Sequence, residues 1–176
     1  MKTLTLGVPS ERQREFLEDT HRYIAFGGAR GGGKSWAVRV KAVLLAFRYQ
    51  GIKIMIVRRT YPELRSNHIE PLKALLGDSA AYKESTKEFT FPTGSVIMFR
   101  HCANSTDIDK YQGTEVDVLF LDEATSALDN NTEREINDML GRLKDQVPGL
   151  TVLSIAHRES TLAYCSRVIN LEENGN

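Results

Sequence analysis

The front half of the chain alternates short apolar runs with segments of helical spacing. Ser10 followed by Gln13 forms a capping-box pattern, which predicts the start of a short amphipathic helix. Residues 23–26 read as a short strand that ends in glycines, and residues 34–49, which lack Gly and Pro, read as a helix. The β-branched run at residues 52–57 predicts a second buried strand.

The middle of the chain predicts an interrupted helix and a hairpin. Residues 63–76 have helical spacing, but Pro71 lies inside them, so the sequence leaves open one kinked helix or two shorter pieces. Residues 88–91 and 95–100 flank a Pro-Thr-Gly turn and predict an antiparallel hairpin, inserted into the sheet or at its edge.

Residues 116–122 contain the apolar run 118–121, which is too short for a helix and too uniformly apolar for a half-exposed strand, so we place it at the sheet centre. Thr132 and Glu135 form a second capping-box pattern before a helix that stops at Pro148. Strands are predicted at residues 151–155 and 167–171. This alternation favours an α/β fold whose mainly parallel sheet is covered on both faces.

Composition limits the class of protein. The 176 residues suffice for a single domain, expected to span residues 1–176, and 23 basic against 23 acidic residues leave no global field to attract nucleic acid. The two cysteines fit neither a disulfide framework nor a metal site, so we expect a cytoplasmic protein. No apolar run reaches the roughly 18 residues of a membrane span.

A glycine-rich segment between the first predicted strand and the second helix has the spacing G-x-x-x-x-G-K-S. In this pattern the backbone N–H groups and the helix N-terminus surround phosphate oxygens. Lys34 is expected to contact the β- and γ-phosphates, and Ser35 to bind Mg²⁺. The alternative is a flexible loop that caps a helix. The predicted nucleotide-binding residues here are Gly28, Ala29, Arg30, Gly31, Gly32, Gly33, Lys34, Ser35 and Trp36.

Two acidic residues follow the apolar central strand. Ligands of open α/β sheets lie beyond the carboxyl ends of strands, so the strand ends at Gly27 and Asp122 are expected to face one site. Asp122 is the predicted metal partner of Ser35, and Glu123 the group that orients or deprotonates a water molecule. The alternative is a pair of solvated turn residues. The sequence therefore predicts a three-layer α/β/α P-loop NTPase with a β-hairpin insertion, which takes ATP with Mg²⁺.

Residues 10–123 resemble the ATPase domain of large terminase subunits from tailed bacteriophages. The similarity lies in the segments Ser-Glu-Arg-Gln-Arg-Glu-Phe, Phe-Gly-Gly-Ala-Arg-Gly-Gly-Gly-Lys-Ser, Val-Arg-Arg-Thr-Tyr-Pro-Glu-Leu and Tyr-Gln-Gly-Thr-Glu. The resemblance implies a DNA-packaging motor ATPase, with Gln13 near adenine and Arg30 acting on the γ-phosphate. Gln13 as a simple helix cap and Arg30 as a solvated loop charge stay open.

From residue 119 onward the sequence resembles the end of an ABC-transporter nucleotide-binding domain. The matching segments are Leu-Asp-Glu-Ala-Thr-Ser-Ala-Leu-Asp, Thr-Val-Leu-Ser-Ile-Ala-His-Arg and Ser-Arg-Val-Ile. This resemblance implies that residues 126–129 cross a dimer interface and that His157 lies near the γ-phosphate. Without it, His157 reads as an ordinary surface or core histidine.

The two resemblances meet near residues 116–123, and neither family is complete, since a terminase nuclease domain and a Leu-Ser-Gly-Gly-Gln signature are both lacking. We interpret the chain as a chimera that closes one P-loop core. The expected function is an ATPase. Alternatives are a nucleotide-binding scaffold with little turnover, a transport ATPase fragment, and a double-stranded DNA module that uses Arg12, Arg14, Arg58 and Arg59. A homodimer or higher oligomer is compatible with each of them.

Overall fold

The structure is a computed structural model that describes residues 3–28, 33–102, 115–124, 129–155 and 164–170. Its helices are α1 (Glu11–Glu18), α2 (Lys34–Arg48), α3 (Tyr61–Leu64), α4 (Glu70–Leu76) and α5 (Asn130–Gln146), with a π-helical turn at Arg65–Ile69 and a 3₁₀ turn at Gly77–Ser79. Its strands are β1 (Tyr23–Gly27), β2 (Lys53–Arg58), β3 (Ala81–Lys83), β4 (Glu88–Thr90), β5 (Val96–His101), β6 (Val118–Asp122), β7 (Thr151–Ile155) and β8 (Arg167–Asn170).

The strands form one 8-stranded sheet in the order β3-β4-β5-β2-β6-β7-β1-β8. In this spatial order, every neighbouring pair from β5 across to β8 is parallel, whereas β3 and β4 add an antiparallel edge. Strand β7 enters between β6 and β1, where Val152 is opposite both Leu119 and Tyr23. Strands from the terminase-like front and from the ABC-like back therefore share hydrogen bonds in the same sheet.

Alternate residues of each strand point to opposite faces, so β6 contributes to two cores. Val118 and Phe120 pack on the side of α1 to α4, where Phe16 stacks on Phe26 with ring centroids 4.4 Å apart. Leu119 and Leu121 pack on the other side, together with the apolar face of α5. The predicted three-layer α/β/α arrangement and its mainly parallel sheet are confirmed.

The predicted hairpin is present as β4 and β5, but it is not a separate insertion. Strand β5 also pairs in parallel with β2 and so belongs to the main sheet, while β3, which the hydrophobic pattern did not predict, extends the antiparallel edge. A three-residue strand carries too little periodicity to be read from sequence.

Two helix predictions are resolved by the structure. Pro71 comes just after the π-helical turn, and the backbone stays right-handed helical at Leu64, Arg65, Ile69 and Glu70, so α3 and α4 form one helical run that this turn interrupts. The capping box at Thr132 is wrong because α5 begins two residues earlier. Asp129 precedes the helix, and its Oδ1 accepts a hydrogen bond from the Asn131 N–H at 3.0 Å.

Within the described ranges, no helix is long and apolar enough to cross a membrane.

Candidate nucleotide and metal site

The glycine-rich segment joins the end of β1 to the start of α2. Gly28 and Gly33 on its two sides have φ of 121° and 71°, values that disfavour a side chain. Lys34 is buried, and its Nζ donates to the Gly28 carbonyl oxygen at 2.6 Å, so the lysine reaches back across the segment. This places its ammonium beside the predicted phosphate position, at the N-terminus of a 15-residue helix.

Ser35 and Asp122 meet as the strand-end argument predicts. The Ser35 hydroxyl, in the first turn of α2, donates to Asp122 Oδ2 at 2.8 Å, at the carboxyl end of β6. Asp122 is 1% exposed, and its other oxygen, Oδ1, is buried without a hydrogen-bond partner.

These two oxygen donors fit a hard divalent cation such as Mg²⁺, which keeps several waters and binds through few protein ligands plus substrate phosphates. Within the described residues there is no group of three or more His, Cys, Asp or Glu side chains that could hold a metal alone. A cation at this position would therefore depend on phosphate oxygens for much of its coordination.

Arg58 is a member of this cluster that the sequence analysis missed. From the end of β2, its Nη1 donates to Asp122 Oδ2 at 2.6 Å and its Nη2 to Glu123 Oε2 at 3.1 Å. Its side chain is 10% exposed, so the interpretation of Arg58 as a free DNA-phosphate contact is wrong. The available signal was its place at a strand end, but only the sheet order shows that β2 lies beside β6.

Glu123 adopts an uncommon backbone conformation immediately after β6. Its φ is 52°, in the left-handed region that non-glycine residues rarely occupy. Its side chain is 24% exposed and is held by Arg58. Such conformations persist where surrounding structure enforces them and are frequent at functional sites, so this outlier agrees with a role for Glu123 at the site.

His68 is the second residue that the sequence analysis missed. It is fully buried on the π-helical turn, and its Nε2 lies 2.7 Å from Asp122 Oδ2. Burial lowers the pKa of His68, as do the nearby Arg39 and Arg58 charges, and the Asp122 contact offsets this only in part. Burial by itself would raise the pKa of Asp122, but contacts with His68, Arg58 and Ser35 hold that pKa below 3.8. Asp122 is therefore a carboxylate that accepts hydrogen bonds.

Gln13, in the first turn of α1, connects this helix to the end of the glycine-rich segment. Its Oε1 accepts from the Ser10 N–H at 2.9 Å, which confirms the predicted capping box, and its Nε2 donates to the Gly33 carbonyl oxygen at 3.4 Å. Trp36 is half-buried in the first turn of α2. Both residues border the site, and a contact with adenine remains a prediction.

Several predicted residues lie outside the described ranges: Ala29, Arg30, Gly31, Gly32, His157 and the part of the ABC-like dimer loop at residues 126–128.

A cavity of about 990 Å³ lies on the opposite face of the sheet, between α5 and strands β2 and β6. Its walls include Met55, Leu119, Leu121 and Leu140. Lys53 and Arg142 also line it, but Lys34, Ser35 and Asp122 do not, so this cavity is separate from the candidate nucleotide site.

The chain has the fold of a P-loop NTPase domain, with Ser35 and Asp122 in contact at the carboxyl edge of the sheet, and it resembles solved terminase ATPase domains. Residues 25–155 match the family described as terminase large subunit, T4likevirus-type, N-terminal. The chain belongs to this family. The match runs through the segment where the two resemblances meet and ends with β7.

Solved structures show the same fold. A large terminase from a thermophilic bacteriophage superposes with a TM-score of 0.65 at 17% identity, covering 92% of this chain and 45% of that one. The large terminase ATPase domain of Thermus phage P74-26 gives a TM-score of 0.61 at 18% identity, covering 86% and 66%.

The ABC-like segment has its own relatives. ABC transporter B family member 22 of Arabidopsis thaliana is 52% identical over 56 residues, which are 32% of this chain and 4% of that protein. The chain thus combines a terminase-like P-loop domain with a short ABC-like segment, and it corresponds to only a small part of such transporters.

Proposed function

We propose that this chain binds Mg-ATP at the glycine-rich segment and hydrolyses it as an ATPase of the DNA-packaging type. The observation that carries the proposal is the 2.8 Å contact between the Ser35 hydroxyl and the Asp122 carboxylate. That contact joins the start of the P-loop helix, where Ser35 follows Lys34 in the chain, to the end of β6.

Each residue has a role that follows from its chemistry. Lys34 and the N-terminal amides of α2 hold the phosphates, while Ser35 and Asp122 hold Mg²⁺. When bound, Mg²⁺ supplies positive charge against the phosphate oxygens. Glu123 orients or deprotonates the attacking water.

The remaining nucleotide contacts rest on the two resemblances. Arg30 acts on the γ-phosphate and Gln13 lies near adenine. His157 approaches the γ-phosphate from the ABC-like segment. The other glycine-rich residues, Gly28, Ala29, Gly31, Gly32 and Gly33, contribute backbone amides.

A second candidate is a nucleotide-binding scaffold with little turnover. It is favoured by the 3.1 Å ion pair between Glu123 and Arg58, because this contact holds the carboxylate that would have to orient the water. Misplacement of a catalytic group by about 1 Å costs on the order of a hundredfold in rate. In this case nucleotide affinity is retained and phosphate release is slow.

Phosphate release from Mg-ATP, recorded together with Trp36 fluorescence, separates the two candidates. Trp36 is the sole tryptophan of the chain, so the signal comes from one place. Lys34→Ala should lose both signals, and Glu123→Gln should lose turnover but keep binding. Lys83→Ala, an exposed lysine on β3, is the matched control. Binding without turnover in the unchanged protein selects the scaffold, and absence of both signals refutes either candidate.

We also propose that residues 1–176 form a single domain that works within an oligomer on double-stranded DNA. The sheet shared by both parts of the chain supports the single domain. The terminase-family match supports the DNA partner. A role as a transport ATPase fragment is less favoured, since the matched segment is 4% of the first ABC relative.

A further inference from the structure

His68 contacts the site from an element that carries none of the sequence motifs. It lies 54 residues before Asp122 in the chain, yet its Nε2 is 2.7 Å from Asp122 Oδ2. The imidazole is fully buried, and of its two nitrogens Nε2 makes this hydrogen bond whereas Nδ1 has no hydrogen-bond partner. That hydrogen bond is made to the carboxylate that faces the predicted cation.

The hydrogen bonds of Asp122 are unevenly distributed between its two oxygens. Oδ2 accepts from Ser35 Oγ at 2.8 Å, Arg58 Nη1 at 2.6 Å and His68 Nε2 at 2.7 Å. Oδ1 is buried without a hydrogen-bond partner. An unpaired buried carboxylate oxygen is costly, so this arrangement points to a ligand that Oδ1 meets when nucleotide binds.

The backbone around His68 is also unusual. His68 lies in the π-helical turn Arg65–Ile69, a conformation that is rare and frequent at functional sites. The Arg39 guanidinium on α2 donates to the carbonyl oxygen of Asn67, which joins this turn to the helix that begins with the P-loop lysine. The turn therefore presents His68 to Asp122 from a fixed position.

We propose that His68 is a positioning residue, which pins Asp122 through Oδ2 so that Oδ1 faces the cation or one of its waters. This inference rests on the proposed Mg-ATP site. The role of His68 differs from those of Ser35 and Lys34, because His68 would contact neither nucleotide nor cation and would act only through the Asp122 carboxylate. Partners of this kind orient metal ligands, and their loss costs about 10–100-fold in metal affinity.

The test measures ATP affinity by Trp36 fluorescence, once with excess Mg²⁺ and once with EDTA, in the full chain. The ratio of the two dissociation constants reports the contribution of the cation. His68→Leu should reduce this ratio by about 10-fold or more while leaving affinity in EDTA unchanged. His68→Gln, whose amide nitrogen reaches about as far as Nε2, should restore most of the ratio.

Two further variants separate positioning from simple stability. Ser95→Ala removes another fully buried polar group, whose hydroxyl donates to the Tyr49 carbonyl oxygen at 2.6 Å, far from the site. It should lower the melting temperature without changing the ratio. If His68→Leu fails to fold, His68→Asn replaces it, because the asparagine amide is too short to reach Asp122.

An unchanged ratio in His68→Leu, or equal ratios in the Gln and Asn variants, would overturn the assignment and leave His68 a structural residue. If the unchanged protein bound ATP equally well with and without Mg²⁺, the proposed metal site itself would be refuted, and the role of His68 with it. The first result affects only His68, so the two failures are distinguishable.

Discussion

Replacing Arg58 by Met tests whether the buried charge cluster is held together by that guanidinium. Asp122 and the Arg58 side chain are 1% and 10% exposed, so the substitution leaves a buried carboxylate without its cation. Breaking a buried pair in this way costs about 3–5 kcal/mol, and the Ser35 and His68 contacts that remain favour the lower end. The contact with the more exposed Glu123 adds little. We expect the free energy of unfolding to fall by about 3 kcal/mol.

Urea unfolding followed by Trp36 fluorescence and circular dichroism measures this loss. The matched control is Arg100→Met, since Arg100 forms an ion pair of the same 2.6 Å length with Glu88, but the two side chains are 23% and 24% exposed. That pair should contribute less than about 1 kcal/mol. Adding Asp122→Asn to Arg58→Met should recover part of the loss, because it removes the unpaired charge.

The stability cost of Arg58→Met should depend on pH. The pKa of Asp122 is held below 3.8 in the folded protein, so its stabilising contribution is present above pH 3.8 and is lost as the pH falls through the lowered pKa. In Arg58→Met the Asp122 carboxyl protonates more readily. The difference in free energy of unfolding between this variant and the unchanged protein should therefore become smaller as the pH falls. Two results would refute a charge cluster held together by Arg58. One is a stability cost of Arg58→Met no larger than that of Arg100→Met at pH 7, and the other is a cost of Arg58→Met that is the same at pH 7 and pH 3.

Three other predictions concern the elements around the site. Burial lowers the pKa of Lys41 from 10.5 to about 8, so between these pH values the amine is neutral in the folded protein but still protonated in the unfolded chain. The free energy of unfolding, compared with that of Lys41→Met in urea titrations, should therefore rise by about 3 kcal/mol from pH 8 to 10.5. Gly33→Ala places a Cβ 2.4 Å from Gln13 Nε2 at φ of 71° and should cost about 1–2 kcal/mol by thermal unfolding, less in a Gln13→Ala background. Ser10→Ala removes the hydroxyl that caps α1 and should cost about 1 kcal/mol in the same assay, whereas Ser66→Ala, an exposed serine, should cost little.

The sequence predicted most elements because their signals are local. The alternation of apolar residues, the glycines at 28 and 33, and the apolar run at residues 118–121 depend only on neighbours in the chain. The pairing of Ser35 with Asp122 followed from a general rule about strand ends in parallel sheets, and the structure places the two side chains in contact. Their roles with nucleotide and cation remain predictions.

The sequence pattern did not predict two features correctly, the first residue of α5 and the short strand β3. Asp129 caps α5 three residues before the predicted cap at Thr132, and both residues are of types that favour helix N-caps. The pattern alone does not rank the two sites. Strand β3 gains its identity only by pairing with β4, and its three residues carry no clear period.

Tertiary structure alone decided which residues surround Asp122. The hydrophobic pattern shows that β2 and β6 are buried strands, but not that they are neighbours or that β7 separates β6 from β1. Arg58 and His68 reach Asp122 across separations of 64 and 54 residues. Periodicity and motif spacing are properties of consecutive residues and are fixed by the chain itself, whereas strand order and side-chain contacts arise from packing of the whole sheet. The sequence therefore determined the glycine-rich segment and its contact with an acidic strand end, and the assembled sheet determined what holds Asp122 in place.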